Sequence, residues 1–115
     1  MKLPQHEQAI VPQRKITDYL LSTTHRDGRS KAAFFTRFGF ASGSWEHLAA
    51  ALRQHAADHE VAAIEATPFG TSYTVEGALV TPTGRAPTVR VVWFIDTGTR
   101  LPRLVTAYPL RGTEA

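Results

Sequence analysis

From His25 to Lys31 the chain reads His-Arg-Asp-Gly-Arg-Ser-Lys, and it then turns apolar through Ala32, Ala33, Phe34 and Phe35. If a helix starts at Ser30, its free N–H groups and dipole favour an anion there. His25, Arg26, Arg29 and Lys31 would stand beside those donors, which suits a phosphate. A histidine can also move a proton near neutral pH. The structural alternative is an exposed basic loop in which Gly28 serves a turn. A second group lies in the C-terminal half. Arg90 sits between Val89 and Val91 in a strongly apolar run, so its guanidinium must reach solvent, a carboxylate or a bound anion. A hairpin turn at Pro82–Arg85 would set Glu76 about opposite Arg90, and a cross-strand ion pair is the structural alternative. The functional one is an anion clamp on the open face of a sheet, with Thr106 and Tyr108 from the last strand. Arg103 heads that strand and either joins the clamp or solvates the edge.

Other chemistries find less support. His55 and His59 stand at i, i+4, a spacing that can ligate a metal, but no carboxylate pattern completes a zinc signature and His47 points elsewhere on the helix. No metal and no cofactor are therefore expected. Glu65 would serve as a general base only if its strand exposed it beside the basic loop; a solvent-facing strand glutamate is the commoner case. There is no phosphate-cradling P-loop, no GxSxG elbow and no dinucleotide fingerprint. The chain has no cysteine, which excludes disulfides, thiolate zinc sites and cysteine nucleophiles together. Charge is distributed unevenly. Residues 1–43 hold seven Lys/Arg against three Asp/Glu, whereas residues 44–115 hold six against seven. A basic N-terminal third favours an anionic partner such as RNA or an acidic protein, or else serves only as solubilising charge.

The elements that would position these groups follow from length and periodicity. At 115 residues, 43% hydrophobic and 20% charged, the chain is sized for one globular domain with a real core. Residues 1–13 read as a flexible leader with two prolines and no periodicity, residues 14–111 as the domain and 112–115 as a tail. Ile16, Tyr19 and Leu20 predict a short amphipathic helix from Lys15. Ser30 predicts the cap of a second helix that stops at Gly39, with Ala33, Phe34, Arg37 and Phe38 on one side. Ser44 predicts the cap of a third, Trp45 to about His59, with Trp45, Leu48, Ala49, Leu52 and Ala56 in one stripe. After Glu60 the period shortens to two. Strands are expected over "VAAIEAT", "TSYTVEGALVT", "APTVRVVWFID" and "RLVTAYPL", separated by turns at "PFG", "PTGR" and "TGTRLP". In the third strand Val89, Val91, Trp93 and Ile95 take one face. Two to three N-terminal helices followed by a four-stranded antiparallel meander make an α+β fold. No stretch reaches the length of a membrane span, so no membrane partner is expected. The N-terminus lacks an apolar signal core, so a cytoplasmic location is expected unless a carrier exports the chain.

The runs "KITDYLLSTTHRDGRSKAAFFTRFGF", "WEHLAAAL", "PFGTSYTVEGALVTPTGRAPTVRVVWFID" and "PRLVTAYP" resemble a family of uncharacterised bacterial domains. The resemblance covers about residues 14–109. Its marks appear here as Ile16-Thr17-Asp18-Tyr19-Leu20-Leu21, His25/Gly28/Lys31, Gly70/Thr71/Tyr73 and Thr88/Val89/Arg90/Trp93. The family usually places Asn-Pro before the histidine and Pro after it; this chain has Thr23-Thr24 and Arg26. Such domains occur as small standalone proteins and at the C-termini of filamentous-haemagglutinin and RHS-type secreted proteins, which implies a toxin-like domain. The layout of helices then four strands also looks like the barnase–EndoU–colicin–RelE group of metal-independent ribonucleases. That likeness implies cleavage of cellular RNA, with His25 taking the 2′-hydroxyl proton and Lys31 and Arg90 stabilising the phosphorane. Tyr108 and Thr106 would position the phosphate, and Arg26, Arg29 and Arg103 would bind substrate. The rival expectations are a non-enzymatic module that binds RNA or an acidic immunity- or antitoxin-like protein, and a purely structural domain with Arg90 paired to Glu76.

Overall fold

A computed structural model of the chain describes residues 1–26 and 28–110. Helical segments come first: a 3-10 turn at His6–Gln8, α1 at Gln13–Lys15 running straight into a π turn at Ile16–Leu20, α2 at Arg29–Arg37 and α3 at Trp45–Asp58. Four strands follow, β1 (Val61–Thr67), β2 (Gly70–Ala78), β3 (Thr88–Asp96) and β4 (Arg103–Pro109), in one antiparallel sheet of order β1-β2-β3-β4. The α+β meander expected from the sequence is the observed fold. Among the described residues, no helix is long and apolar enough to cross a membrane.

The strand period sorts the side chains. Val89, Val91 and Trp93 of β3, with Val75 of β2 and Leu104 and Ala107 of β4, form the buried inner face. Leu48, Ala49, Leu52 and Ala56 of α3 cover it, and all four are buried. Each large apolar side chain so buried contributes roughly 1.5–3 kcal/mol of transfer free energy. α2 adds Phe34 and Phe35, whose rings meet edge to face at 5.1 Å between centroids. Its buried side is Ala32, Phe34 and Phe35, with Phe38 just beyond, while Ala33 is exposed. The helix begins two residues earlier than expected, with Gly28 rather than Ser30 at its cap.

One helix start differs from expectation and another agrees with it. Ser30 lies inside α2 rather than at its cap, and the cap residue is Gly28. Ser44 does stand at the cap of α3, but at the end of a 3-10 turn (Ser42–Ser44) and without a capping hydrogen bond. Residues 1–13 pack closely: Leu3, Ala9 and Val11 are buried, and Ile10 forms a parallel bridge to Arg103. The Ile10 N–H donates to the Pro102 carbonyl at 2.8 Å and the Ile10 carbonyl accepts from Leu104 N–H at 3.0 Å. Three isolated apolar side chains give no periodic signal, yet each joins the buried core.

His55 joins the buried stripe of α3. Its Nε2 lies 3.1 Å from the Gly77 carbonyl and 3.2 Å from that of Val89, so Nε2–H bridges β2 and β3. His59 Nε2 donates to the Ala78 carbonyl at 2.8 Å, and the two rings meet at 4.8 Å. Both histidines are thus committed to strand carbonyls. Burial, and then the neighbouring His59, pushes the His55 pKa below its ordinary value, although the two carbonyls pull the other way. The folded state keeps His55 neutral, while the unfolded chain protonates it near its ordinary value. Stability from this group is therefore complete above about pH 6.5 and declines as pH falls below it, by at most about 1.4 kcal/mol per pH unit. Urea midpoints measured from pH 8 to pH 5 are expected to fall more steeply for the wild type than for His55→Gln.

Candidate functional site

Tyr19 occupies the π turn, and the Leu21 N–H reaches back to the Ile16 carbonyl at 2.7 Å to close it. Such widened turns cluster at functional sites. The Tyr19 hydroxyl lies 3.0 Å from Thr106 Oγ1 on β4, the edge strand. Thr106 stands beside a β-bulge: Val92 pairs with Thr106 and Trp93 with Leu104, which leaves Val105 as the extra residue. The His25 ring meets the Tyr19 ring edge-on at 5.0 Å. Lys15 Nζ lies 5.3 Å and Lys31 Nζ 5.5 Å from the Tyr19 ring centroid, within cation–π range. Around them opens a cleft of about 740 Å³ lined by Pro12, Arg14, Lys15, Asp18, Tyr19, His25, Val105 and Thr106.

The loop before α2 is built to hold His25 against Tyr19. Gly28 is needed for close approach, since a Cβ there would collide with the Tyr19 carbonyl oxygen. The Gly28 N–H points to His25 Nδ1 at 3.2 Å and to the His25 carbonyl at 3.1 Å. Nδ1 is therefore an acceptor, which assigns the ring hydrogen to Nε2. The Arg29 N–H also donates to the His25 carbonyl, at 3.1 Å. Two donors at the start of α2, those of Gly28 and Arg29, are thus directed to His25 itself. Cations also gather around the Tyr19 cleft.

Arg90 follows its structural alternative. Glu76 and Arg90 are register partners, and Arg90 Nε donates to Glu76 Oε2 at 2.7 Å. Arg90 Nη1 also donates to the Tyr108 hydroxyl at 3.3 Å. The bond to Tyr108, and then the one to Glu76, stabilises the charged guanidinium and raises its pKa. Arg103 grips Asp96 through two bonds of 2.8 and 3.2 Å, and that guanidinium draws the Asp96 carboxyl below its usual range. Arg26 is exposed, and Arg29 lines a separate groove with Thr23, Ala32, Ala33, Thr36 and Arg37.

The structure thus brings His25, Lys31 and Thr106 together around Tyr19. Thr106 and Tyr108, at i and i+2, fall on one side of β4, and Tyr108 carries Arg90 with it. Arg103 and Arg29 are engaged or placed elsewhere. Tyr19, Lys15 and Arg14 line the candidate cleft and were missed by sequence reasoning. Tyr19 looked like one more apolar position of a helix face. The signal lay in its amphipathic tip, because a buried tyrosine ring usually finds its hydroxyl a partner.

The fold and cleft define an α+β domain with cations and hydroxyls gathered along one sheet edge. A family model described as a domain of unknown function (DUF6883) matches residues 2–111, and the chain belongs to that family. No curated protein matches the chain. Its fold is similar to that of a chain in the contact-dependent growth inhibition toxin–immunity protein complex from Klebsiella pneumoniae 342. The TM-score is 0.73 and the identity 20%, over 93% of this chain and 97% of that one.

Tyr19→Phe removes one half-buried hydrogen bond and is expected to cost about 0.5–1.5 kcal/mol in urea unfolding, with the fold retained. Gly28→Ala forces the His25 loop off the Tyr19 carbonyl. It is expected to destabilise by about 1–3 kcal/mol and to shift the His25 ring resonances in NMR spectra.

Proposed function

We propose that this domain is a toxin-type, metal-independent ribonuclease that acts on cellular RNA in the Tyr19 cleft. The observation that carries the reading is the run His25–Tyr19–Thr106, with Lys15 and Lys31 over the Tyr19 ring. A phosphodiester needs cations and hydrogen-bond donors converging on one open site, and this cleft supplies both. Arg14 extends the basic lining outward. Thr106 and Tyr108 supply hydroxyls along β4 for the phosphate and its neighbour. Arg90, already balanced by Glu76, acts on the chain of bonds mainly by fixing Tyr108.

The tautomer of His25 bears on its role. With Nδ1 facing the Gly28 N–H, the ring hydrogen lies on Nε2, which is then a donor. The reading therefore moves His25 from proton acceptor to stabiliser of the phosphorane charge, alongside Lys31 and the Thr106 hydroxyl. The 2′-oxygen attacks phosphorus and its proton passes to water. The 5′-oxygen departs and takes a proton from water, leaving a 2′,3′-cyclic phosphate and a 5′-hydroxyl end. The toxin reading is supported by the resemblance to domains at the ends of secreted bacterial proteins and by the fold shared with a chain of a toxin–immunity complex. By the same analogy, its protein partner is an immunity-type chain that covers the cleft.

The test is incubation with total bacterial RNA in EDTA, followed by a denaturing gel. The wild type is expected to give discrete fragments, and His25→Ala to lose roughly 10²-fold in rate, as when a charge-stabilising donor is removed. His25→Gln, which keeps an N–H donor, is expected to retain part of the activity; equal loss in both variants would restore the proton-acceptor role. Intact RNA that still binds in a salt-dependent way would replace cleavage by binding.

A further inference from the structure

The two edges of the sheet are treated differently. At β4 the N-terminal strand segment bonds across Ile10, and the Tyr19 hydroxyl sits on Thr106. At β1 residues 62–67 are exposed, and among the described residues no backbone hydrogen bond reaches them from outside the sheet. Ile64 pairs with Tyr73, which pairs with Trp93, so Ile64 continues the inner face beyond the cover of α3 and is 53% exposed. Phe69, at the hairpin tip, is 79% exposed. β1 carries one charge, Glu65, and has no lysine or proline to blunt the edge. A bulge at Ala62 and the Val61 N–H bonded to the Met1 carbonyl at 2.7 Å modify only the start of this edge; residues 63–67 remain regular and open, which natural sheets rarely allow.

We propose that β1 pairs antiparallel with β1 of a second copy, joining two sheets into one of eight strands about a two-fold axis through Ile64. The pattern of the strand selects both the partner and the register. In a two-fold antiparallel pair, facing residues must point to the same side, so one residue faces its own copy. Centring on Glu65 would oppose two glutamates directly, which is unfavourable. Centring on Ile64 sets Ile64 against Ile64 in the regular part of the strand, and the bulge at Ala62 bounds the new ladder at each end. It also sets each Glu65 opposite Ala63, so no like charges face each other. Two exposed isoleucines are buried together, and the open N–H and C=O groups at the centre of both edges are satisfied.

The register makes the pair sensitive to charge at position 63, which is exposed in the single chain. Ala63→Lys would face Glu65 of the other copy, and Ala63→Glu would oppose it. Sedimentation equilibrium from about 5 to 500 µM is expected to show mass rising from 12.7 kDa toward twice that value. Two symmetric cross-strand pairs change together, so Ala63→Lys is expected to tighten the dimer and Ala63→Glu to weaken it, each by about five-fold or more. Ile64→Lys is expected to leave a folded monomer by circular dichroism and sedimentation. A wild type that stays monomeric throughout overturns the proposal, as does a dimer that Ala63→Lys and Ala63→Glu weaken equally. RNA cleavage is read separately and does not depend on the outcome.

Discussion

The contact of the Tyr19 hydroxyl with Thr106 ties the N-terminal helical segment to a strand 87 positions later in the chain. Much of the candidate site depends on it. The ring that reaches Thr106 also carries the His25 edge and two lysine ammonium groups. An aromatic ring can serve so many neighbours because its edge, face and hydroxyl offer different chemistry in different directions. Gly28 completes the arrangement by letting the following loop approach the Tyr19 backbone without a side chain between them.

The sheet shows the same economy in another form. β3 lies between two neighbours, so its inner face is fully apolar and its outer face holds Arg90 in a row with Glu76 and Tyr108. An arginine so placed finds its partner across the strand, where opposed side chains are close. β4 is an edge, but one covered by residues 9–11 and by Tyr19. β1 is an edge with exposed residues on both faces. The helical layer is only wide enough for three strands, and Ile64 marks where it stops.

Much of this was legible from residue order. The period of β3 separated Val89, Val91 and Trp93 from Arg90, and the hairpin turn at Pro82–Arg85 placed Glu76 opposite Arg90, as observed. The stripe of α3 was read correctly except that His55 belongs to it, since a histidine in a helix pattern does not announce that two strand carbonyls await it. Ser30 was assigned to a cap it does not form, because His25 supplies the groups that meet the first N–H donors of α2. Tyr19 was legible as a helix position and illegible as the centre of a site.

The sequence by itself determined the order of helices and strands, the face that β3 buries and the absence of cysteine chemistry. These depend on residue type and local period, which act over a few positions. Only the tertiary structure decided that residues 1–13 pack into the core, that Arg103 is held by Asp96, and that His25, Lys15, Lys31 and Thr106 meet around one tyrosine. Those are long-range encounters, set by how a helical layer settles on a twisted sheet, and no local pattern encodes which side chains face one another across that gap.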